Sequence, residues 1–319
     1  MSQQKTWEKR QEQTQQKKTA QVAEATKQDE HLTDEEKQMK MVELIETQRE
    51  LMRSQGRTPP VITLPLLDHM IPYSVGFRAR KEYPSVLDAF RQFSRNRTND
   101  GKNAFSMRHI AVADSFPGIE VDPKLGWFRA MWLYARRVFQ THSIKPDAWI
   151  APMRQEILDQ YILLNETIMN GNTKRVEELT MAPYTQEATA LADRKTGILY
   201  RWAFHREVTS LRILSLRAAD GEFGKHMPKS GSRVAIQALV RFDTEQSIEM
   251  YDKDGNALHA PAPSAAPPPT KRGKALHIVP AVPKRVTEYL VVDRAFYDPD
   301  GKWKFRARYT PEPGRTPAV

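Results

Sequence analysis

The last third of the chain has the most regular pattern of apolar and polar positions. From 234 to 243, apolar residues occupy every second position, which is typical of a strand with one buried face. The apolar face predicted for this strand consists of Val234, Ile236, Ala238, Val240 and Phe242. We expect residues 243–244 to turn the chain into a second strand at 246–251. The turn sequence at 252–255 would end that strand.

A third strand is predicted at 286–296 and a fourth at 303–309, with the turn sequence 298–301 between them. The apolar face of the last strand would hold Trp303, Phe305, Ala307 and Tyr309, and its basic face Lys304, Arg306 and Arg308. We expect the aromatic residues to pack under helices and the basic residues to stay exposed, because a slip of one residue would exchange the two faces.

Helical spacing of apolar residues dominates the region before these strands. The best helix is predicted at 151–170, where Pro152 suits the first turn and Gly171 the position after the end. Two shorter helices, at 172–179 and 183–196, and two strands, at 199–205 and 211–218, would follow. Helices followed by an antiparallel sheet indicate an α+β fold, with the helices packed on one face of a curved antiparallel sheet.

An aromatic helix is predicted at 127–140, with the sequence WFRAMWLYARRVFQ. Its apolar face and its arginines fit two interpretations. One is a helix that lies in a membrane interface, and the other is a core helix with a basic outer face. The pattern favours the core helix, because an apolar stripe is usually buried. The candidates for membrane contact are Trp127, Arg129, Arg136 and Arg137.

The first 57 residues are polar and lack apolar periodicity over most of their length. We expect an N-terminal extension that is partly helical or disordered. Residues 58–125 carry seven prolines, which predicts a basic, extended segment wrapped over a partner or over the later domain. A short helix is expected at 83–93.

Basic residues with interleaved phenylalanines follow this short helix. They are Arg95, Arg97, Lys102 and Arg108, near Phe93 and Phe105. Such a composition suits contact with an RNA backbone and stacking on bases. The alternative is a solvated loop.

The predicted cone domain spans 126–311, and a short C-terminal tail would occupy 312–319. Within the domain, the stretch 256–285 is too rich in proline to join a sheet. We expect an exposed loop there, with Lys271, Arg272 and Lys274 as further candidates for membrane contact.

Positive charge is concentrated at the two ends of the predicted folded part. The chain has a formal net charge of +10, with 13 basic and 7 acidic residues in 61–145 and 11 basic and 5 acidic residues in 270–319. This distribution favours a polyanionic partner, either RNA or an anionic membrane surface. A generally basic soluble protein is the alternative. Lys304, Arg306 and Arg308 would form a row of cations along one strand.

Catalytic and cofactor signatures are not evident. The chain has no cysteine, which excludes disulfides and thiolate chemistry. The sequence lacks clustered metal-ligand spacing and phosphate-binding glycine motifs. His205, Asp243, Glu288 and Asp293 lie on predicted strands but are expected to be satisfied surface groups. We therefore expect a non-catalytic protein with no cofactor, no metal and no small-molecule substrate.

The sequence also bears on membrane spans and targeting. No stretch approaches the roughly 20 apolar residues of a spanning helix, so membrane contact is expected to be peripheral. The N-terminus has acidic residues beside Arg10 and is not a clear transit peptide.

The strand sequences VRFDTEQSIEMYDKDG and VPKRVTEYLVVDRAFYDPDGKWKFRARYTP also carry a family resemblance. They resemble the C-terminal domain shared by three mitochondrial proteins. These are the import-motor anchor of the inner membrane (the Tim forty-four type), a large-subunit ribosomal protein (the L forty-five type) and the fungal membrane-associated ribosome receptor (the Mba type). The resemblance covers residues 149–311. Gly301-Lys302-Trp303 and the alternating basic residues after it are closer to the ribosomal and receptor branch.

The resemblance implies a nuclear-transport-factor-two-like cone and a role at the mitochondrial ribosome. The protein would lie in the matrix near the tunnel exit of the large subunit, on the inner membrane, and help to dock the ribosome there for insertion of newly made proteins. Its implied partners are ribosomal RNA and proteins, the anionic inner-membrane surface and a membrane insertase. The alternative is an import-motor scaffold that binds a translocase and its chaperone.

Overall fold

A computed structural model describes residues 64–113, 124, 126–194, 197–220, 233–262, 279–298 and 301–318, with only the backbone described at 77 and 78. The helices in these ranges are α1 (Val86–Val112), α2 (Trp127–Val138), α3 (Ala151–Met169), α4 (Thr173–Leu179) and α5 (Tyr184–Ala192). The strands are β1 (Leu199–Asp220), β2 (Val234–Tyr251), β3 (Lys284–Ala295) and β4 (Lys304–Tyr309). The predicted extension at 1–57 lies outside the described residues.

The four strands form one antiparallel sheet in the order β1-β2-β3-β4. The sheet is curled but not closed, and the helices pack on its inner face. The predicted α+β fold is therefore confirmed. Irregularities in the register between β1 and β2, such as the one between Phe204 and Arg206, bend the long strands.

Two predicted strand boundaries are wrong. Residues 243–244 do not turn the chain, because Asp243 lies inside β2 and pairs with Thr209 on one side and Thr287 on the other. β2 is thus a single strand of 18 residues. β1 is likewise one strand of 22 residues instead of two short ones. The turn at 252–255 is present, and Gly255 adopts a φ of 83° there, which glycine permits without strain.

The main core lies between α3 and the inner face of the sheet. The predicted apolar face of β2, from Val234 to Phe242, is fully buried there. Tyr161 of α3 stacks on Phe242, with their ring centroids 4.2 Å apart. Trp303 and Phe305 are 1% and 0% exposed in the same core, which confirms that these two aromatic residues lie under the helices.

β4 departs from the predicted alternation at Arg306. Val291 of β3 pairs with Ala307, and Val292 pairs with Phe305, so Arg306 is an extra residue in a β-bulge. The bulge moves Ala307 and Tyr309 to the outer face of the sheet. Arg306 is buried. The prediction that Arg306 is exposed is therefore wrong, and so is the placement of Tyr309 under the helices.

An extended segment, residues 64–73, covers part of the outer face. The Asp68 carboxylate accepts a hydrogen bond of 3.0 Å from Nε of Arg217 on β1. Gln237 of β2 donates to the carbonyl oxygen of Pro65 at 3.0 Å. Farther along, Ile71 and Tyr73 pack in a second apolar cluster with Leu214, Leu239, Val291 and Ala307. These contacts fasten the segment to the sheet.

The segment then leads into α1, which is longer than predicted. Ser85 caps its N-terminus by accepting from the backbone N–H of Asp88. The prediction of an extended chain through 125, with a helix only at 83–93, is wrong for residues 94–112. Asn99, Gly101 and Asn103 are weak helix formers, so tertiary contacts must stabilise this part of the helix.

Those tertiary contacts run along the edge of β1. The Asn103 side-chain oxygen accepts from the backbone N–H of Leu216 at 2.8 Å. Asn99 donates to the carbonyl oxygen of Leu214 at 2.8 Å, and the Ser106 hydroxyl accepts from the N–H of Ala218 at 3.2 Å. Side chains of α1 thereby satisfy backbone groups that a neighbouring strand would otherwise pair.

Candidate membrane and nucleic-acid interfaces

The apolar face of α2 points away from the core. Its exposed aromatic residues are Trp127 (65%), Phe128 (82%) and Trp132 (61%), and Phe139 just beyond the helix is 70% exposed. Val138 is the buried residue of the helix, and Tyr134 packs partly against the core. The core-helix interpretation that the sequence favoured is therefore wrong for this face.

Arginines accompany these aromatic residues. Arg129 and Arg136 are exposed, Arg137 is half-buried, and the helix contains no acidic residue. The Arg136 guanidinium lies over the Trp132 ring, 5.5 Å from its centroid. We call this the aromatic surface: Trp127, Phe128, Met131, Trp132, Phe139, Arg129 and Arg136. Tryptophan and arginine together suit the boundary between lipid headgroups and acyl chains.

The basic residues at 95–108, predicted in an extended polar stretch, lie on α1 instead. Arg97 and Arg108 are about three turns apart and share the outward face of the helix. Phe90 and Phe105, which are 66% and 69% exposed, lie on the same side. The Arg97 guanidinium is 5.2 Å from the centroid of the Phe93 ring. This outward face therefore combines aromatic rings with Arg108 and with Arg97, whose guanidinium also lies 3.6 Å from the Asp100 carboxylate.

Arg95 and Lys102 lie toward the other flank of α1. Lys102 forms an ion pair with Asp68 of the extended segment, which offsets its charge and gives it a structural role. Arg95 is exposed. The four predicted residues of this region thus fall into two pairs on different sides of one helix, and only Arg97 and Arg108 share the outward face.

The predicted row of cations on β4 is not an open basic face. Arg306 donates to the Asp293 carboxylate at 2.7 Å and also to the carbonyl oxygen of Leu64. Arg308 forms ion pairs of 2.9 Å with both Glu187 and Glu288. Lys304 is half-buried. Two of the three charges are offset by carboxylates, so the row does not present a basic surface to RNA.

The outer face of the sheet holds basic residues that were not predicted as a site. Arg212, Arg241 and Arg285 come from three different strands. Arg241 and Arg285 form ion pairs with Asp243, and Arg212 pairs with Arg241 across the β1–β2 ladder. The sequence signal was the pair Arg241 and Asp243, two positions apart on one strand face. The distant positions 212 and 285 could not be joined to it without the register.

Asp243 has a structural role in this arrangement, because it forms ion pairs with Arg241 and Arg285. Hydrogen bonds from Arg285 come first among the causes that hold the pKa of its carboxyl below the usual range, although burial opposes them. Asp293 shows the opposite shift: burial raises its pKa despite its bond with Arg306. Both carboxylates are engaged by arginines, as expected for satisfied groups, but they are only 1% and 6% exposed, so the prediction that they lie at the surface is wrong.

A cavity of about 520 Å³ opens between the start of α3 and β1. Arg154, Gln155, Glu207 and Ser210 line its wall together with apolar residues such as Leu158. The Arg154 guanidinium donates to the carbonyl oxygens of Ile144, Lys145 and Leu211. These bonds tie the loop before α3 to β1, so the arginine has a structural task at this position.

Comparisons with known proteins leave the family open. No model of a known protein family matches the chain, and no curated protein matches it. The family resemblance therefore rests on the strand motifs quoted above. In the described ranges, none of the helices is both long enough and apolar enough to cross a bilayer. The basic loop residues Lys271, Arg272 and Lys274 lie outside those ranges.

Proposed function

We propose that this protein is a non-catalytic component or receptor of the mitochondrial large ribosomal subunit. It acts near the tunnel exit and holds the ribosome against the inner membrane while newly made proteins are inserted. The observation that carries the proposal is the aromatic surface, where four aromatic rings and two arginines are exposed together. The resemblance of the strand motifs supplies the ribosomal context.

The chemistry of the aromatic surface favours a lipid partner. Moving a large apolar side chain from water to an apolar environment stabilises by ~1.5–3 kcal/mol, so the rings of Trp127, Phe128 and Trp132 can provide substantial affinity. Each arginine near an anionic surface adds about 1 kcal/mol. Arg129 and Arg136 lie on the same helix as the rings, so both contributions act at one place.

The outward face of α1 supports the ribosomal half of the proposal. Arg97 and Arg108 can contact phosphates, and Phe90 and Phe105 offer rings for stacking on unpaired bases. The alternative function is an import-motor scaffold for a translocase and its chaperone. Co-sedimentation at low salt separates the two functions. The proposed function requires the protein to travel with large ribosomal subunits, and the alternative requires it to travel with translocase complexes.

Replacing Trp127, Phe128 and Trp132 together by alanine tests the membrane contact. We expect the triple variant to lose most of its flotation with vesicles that contain anionic lipid, because the rings are exposed in the free protein and contribute only when they enter the interface. Circular dichroism should show wild-type folding, since none of the three rings lies in the core.

The matched control replaces Leu87, Phe90 and Phe105 of α1 by alanine. These side chains are 67%, 66% and 69% exposed, so the control removes a similar apolar area from another helix. It should float with vesicles as the wild type does. Equal flotation of wild type and the α2 variant would rule out this helix as the membrane contact.

A further inference from the structure

The outer face of the sheet is covered over only part of its length. The segment 64–73 lies over Arg217 and Gln237 and over the apolar cluster around Leu239. Beyond this cluster the strands continue with polar side chains. We call this region the open patch; its residues are Thr209, Arg212, Arg241, Asp243, Arg285 and Thr287. Thr209, Arg285 and Thr287 are exposed.

Asp243 at the centre of the open patch has no free capacity to accept hydrogen bonds. Arg285 donates to both of its oxygens at 2.7 Å, Arg241 donates at 3.1 Å and the Thr209 hydroxyl at 2.9 Å. The Thr287 hydroxyl is a fifth donor, 3.4 Å from one of these oxygens, and four donors already fill the lone-pair sites of a carboxylate. Its single negative charge is therefore fully used by two arginines, and a third arginine lies beside them.

Arg212 is this third arginine. It pairs directly with Arg241 across the β1–β2 ladder, and like charges in directly opposite positions are destabilising. Burial and the neighbouring Arg241 both lower the pKa of Arg212. In the described part of the chain, no carboxylate forms an ion pair with Arg212, and the buried Nε–H of Arg241 has no hydrogen-bond partner.

The charges of the open patch therefore do not balance. Three guanidinium groups face one carboxylate. At the flanking positions of β1 and β2, Arg206 and Glu245 offset each other in an ion pair of 2.5 Å. A bound oxyanion would relieve the repulsion between Arg212 and Arg241 and could accept from their unused N–H groups. Phosphate oxygens match the planar fork of arginine donors.

We propose that the open patch binds a phosphate group of an RNA backbone. The inference rests on the proposed function, because ribosomal RNA supplies the partner. Within the patch the exposed groups are hydroxyls and a guanidinium rather than apolar side chains, which favours a nucleic-acid backbone over a lipid surface. Apolar groups suited to lipid lie on α2 instead.

The test replaces Arg212 by glutamine and measures binding of a fluorescently labelled RNA hairpin at several salt concentrations. We expect affinity at low salt to fall about tenfold, as for the loss of a charge-assisted hydrogen bond. The slope of log affinity against log salt should decrease in magnitude by about one. Arg212→Lys should bind RNA with an affinity between those of wild type and Arg212→Gln, because lysine keeps the positive charge but lacks the planar guanidinium donors.

Arg201→Gln is the matched control. Arg201 lies on the same strand and loses the same charge, but it pairs with Glu249, 3.6 Å away, outside the open patch. The control should retain RNA affinity close to wild type. If Arg201→Gln and Arg212→Gln weaken binding equally, only net charge matters, and the proposed site is overturned. The site is also overturned if Arg212→Gln weakens binding to anionic vesicles and leaves RNA binding unchanged.

Co-sedimentation with large ribosomal subunits separates this site from the proposed function. Suppose that wild type and Arg212→Gln both co-sediment with the subunits and bind RNA equally well. The proposed function is then supported, and the proposed RNA site is overturned. If wild type does not travel with them but RNA binding still depends on Arg212, the site stands and the ribosomal function fails. Circular dichroism of each variant confirms folding.

Discussion

At the scale of single residues, Asp293 and Arg306 form a buried ion pair between β3 and β4. Both side chains are only 8% exposed, and they are joined at 2.7 Å. Gln237 adds a second donor to the Asp293 carboxylate at 2.9 Å. Removing one partner of such a pair leaves an uncompensated buried charge, which costs about 3–5 kcal/mol. The pair therefore secures the bulge in β4.

Replacing Asp293 by asparagine should change how stability depends on pH. Burial raises the pKa of Asp293 above its ordinary value of 3.8, so the folded protein holds this proton at pH values where the unfolded chain releases it. By linkage, the free energy of unfolding then falls as pH rises from the ordinary carboxyl range through the raised pKa. Asparagine does not titrate, so the Asp293→Asn variant does not lose stability at this position as pH rises.

Urea unfolding between about pH 3 and pH 7 measures the difference between the two proteins. The stability of wild type relative to Asp293→Asn should decrease with rising pH and then level off. Other acids, such as Asp243 and Asp68, have lowered pKa values, but they titrate in both proteins and cancel in the difference. A difference that is independent of pH would show that Asp293 ionises normally.

The same residues show how far the sequence could predict positions. The buried face of β2 was predicted correctly, because a period of two persists for as long as a strand stays regular. The exposure of Arg306 was predicted wrongly, because a bulge depends on the pairing with β3, which the local sequence does not display. Arg212 and Arg285 were not connected for a related reason: their proximity follows from the register alone.

At the scale of elements, α1 protects one edge of the sheet through polar side chains. Asn99, Asn103 and Ser106 take the place of a neighbouring strand beside β1. The sequence predicted an extended segment here because of its prolines, and the asparagines and glycine within α1 are weak helix formers. The helix is instead stabilised by hydrogen bonds from its side chains to the edge of β1. This is a tertiary effect, which local helix propensity does not predict. The exposed face of α2 likewise depends on where the helix docks.

Asn103→Ala tests the protection of the edge. The substitution leaves the backbone N–H of Leu216 without its acceptor and also removes a bond of 2.9 Å to Arg217. An unsatisfied buried donor costs ~1–3 kcal/mol, and we expect a loss of that size in urea unfolding. Thr98→Ala is the control, since Thr98 is exposed on the same helix and should change stability by less than about 0.5 kcal/mol. Equal losses of stability in the two variants would contradict the role of Asn103 in protecting the edge of β1.

At the scale of the whole molecule, the chain following β4 returns to the C-terminal end of the extended segment 64–73. Residues 312–318 were predicted as a tail, but they form specific bonds. Ala318 N–H donates to the Pro72 carbonyl at 2.8 Å, and Ser74 N–H donates to the Thr316 carbonyl at 2.9 Å. Thr316 also donates to the Glu82 carboxylate at 2.7 Å through both its N–H and its hydroxyl. The segment over the outer face is thus held at both ends.

Deleting residues 312–319 should therefore weaken the attachment of the extended segment 64–73 and of the residues after it up to 83, while the inner core stays folded. The deletion removes the bonds to Pro72, Ser74 and Glu82 and the packing of Arg315, whose guanidinium lies 5.4 Å from the centroid of the Tyr83 ring. The contacts of Asp68 with Arg217 do not involve these residues, so the first part of the segment should stay bound longer than the second.

Hydrogen exchange followed by mass spectrometry measures this gradient. Amides at 72–83 should exchange much faster after the deletion, those at 64–69 should change less, and those of β2 should stay protected as in wild type. Deleting only 318–319 is the matched control, since it removes the single backbone bond to Pro72 and should give a small, local change. Unchanged exchange at 72–83 in the longer deletion would mean that the segment is held by the sheet alone. Faster exchange throughout β2 would mean that these last residues support the whole fold.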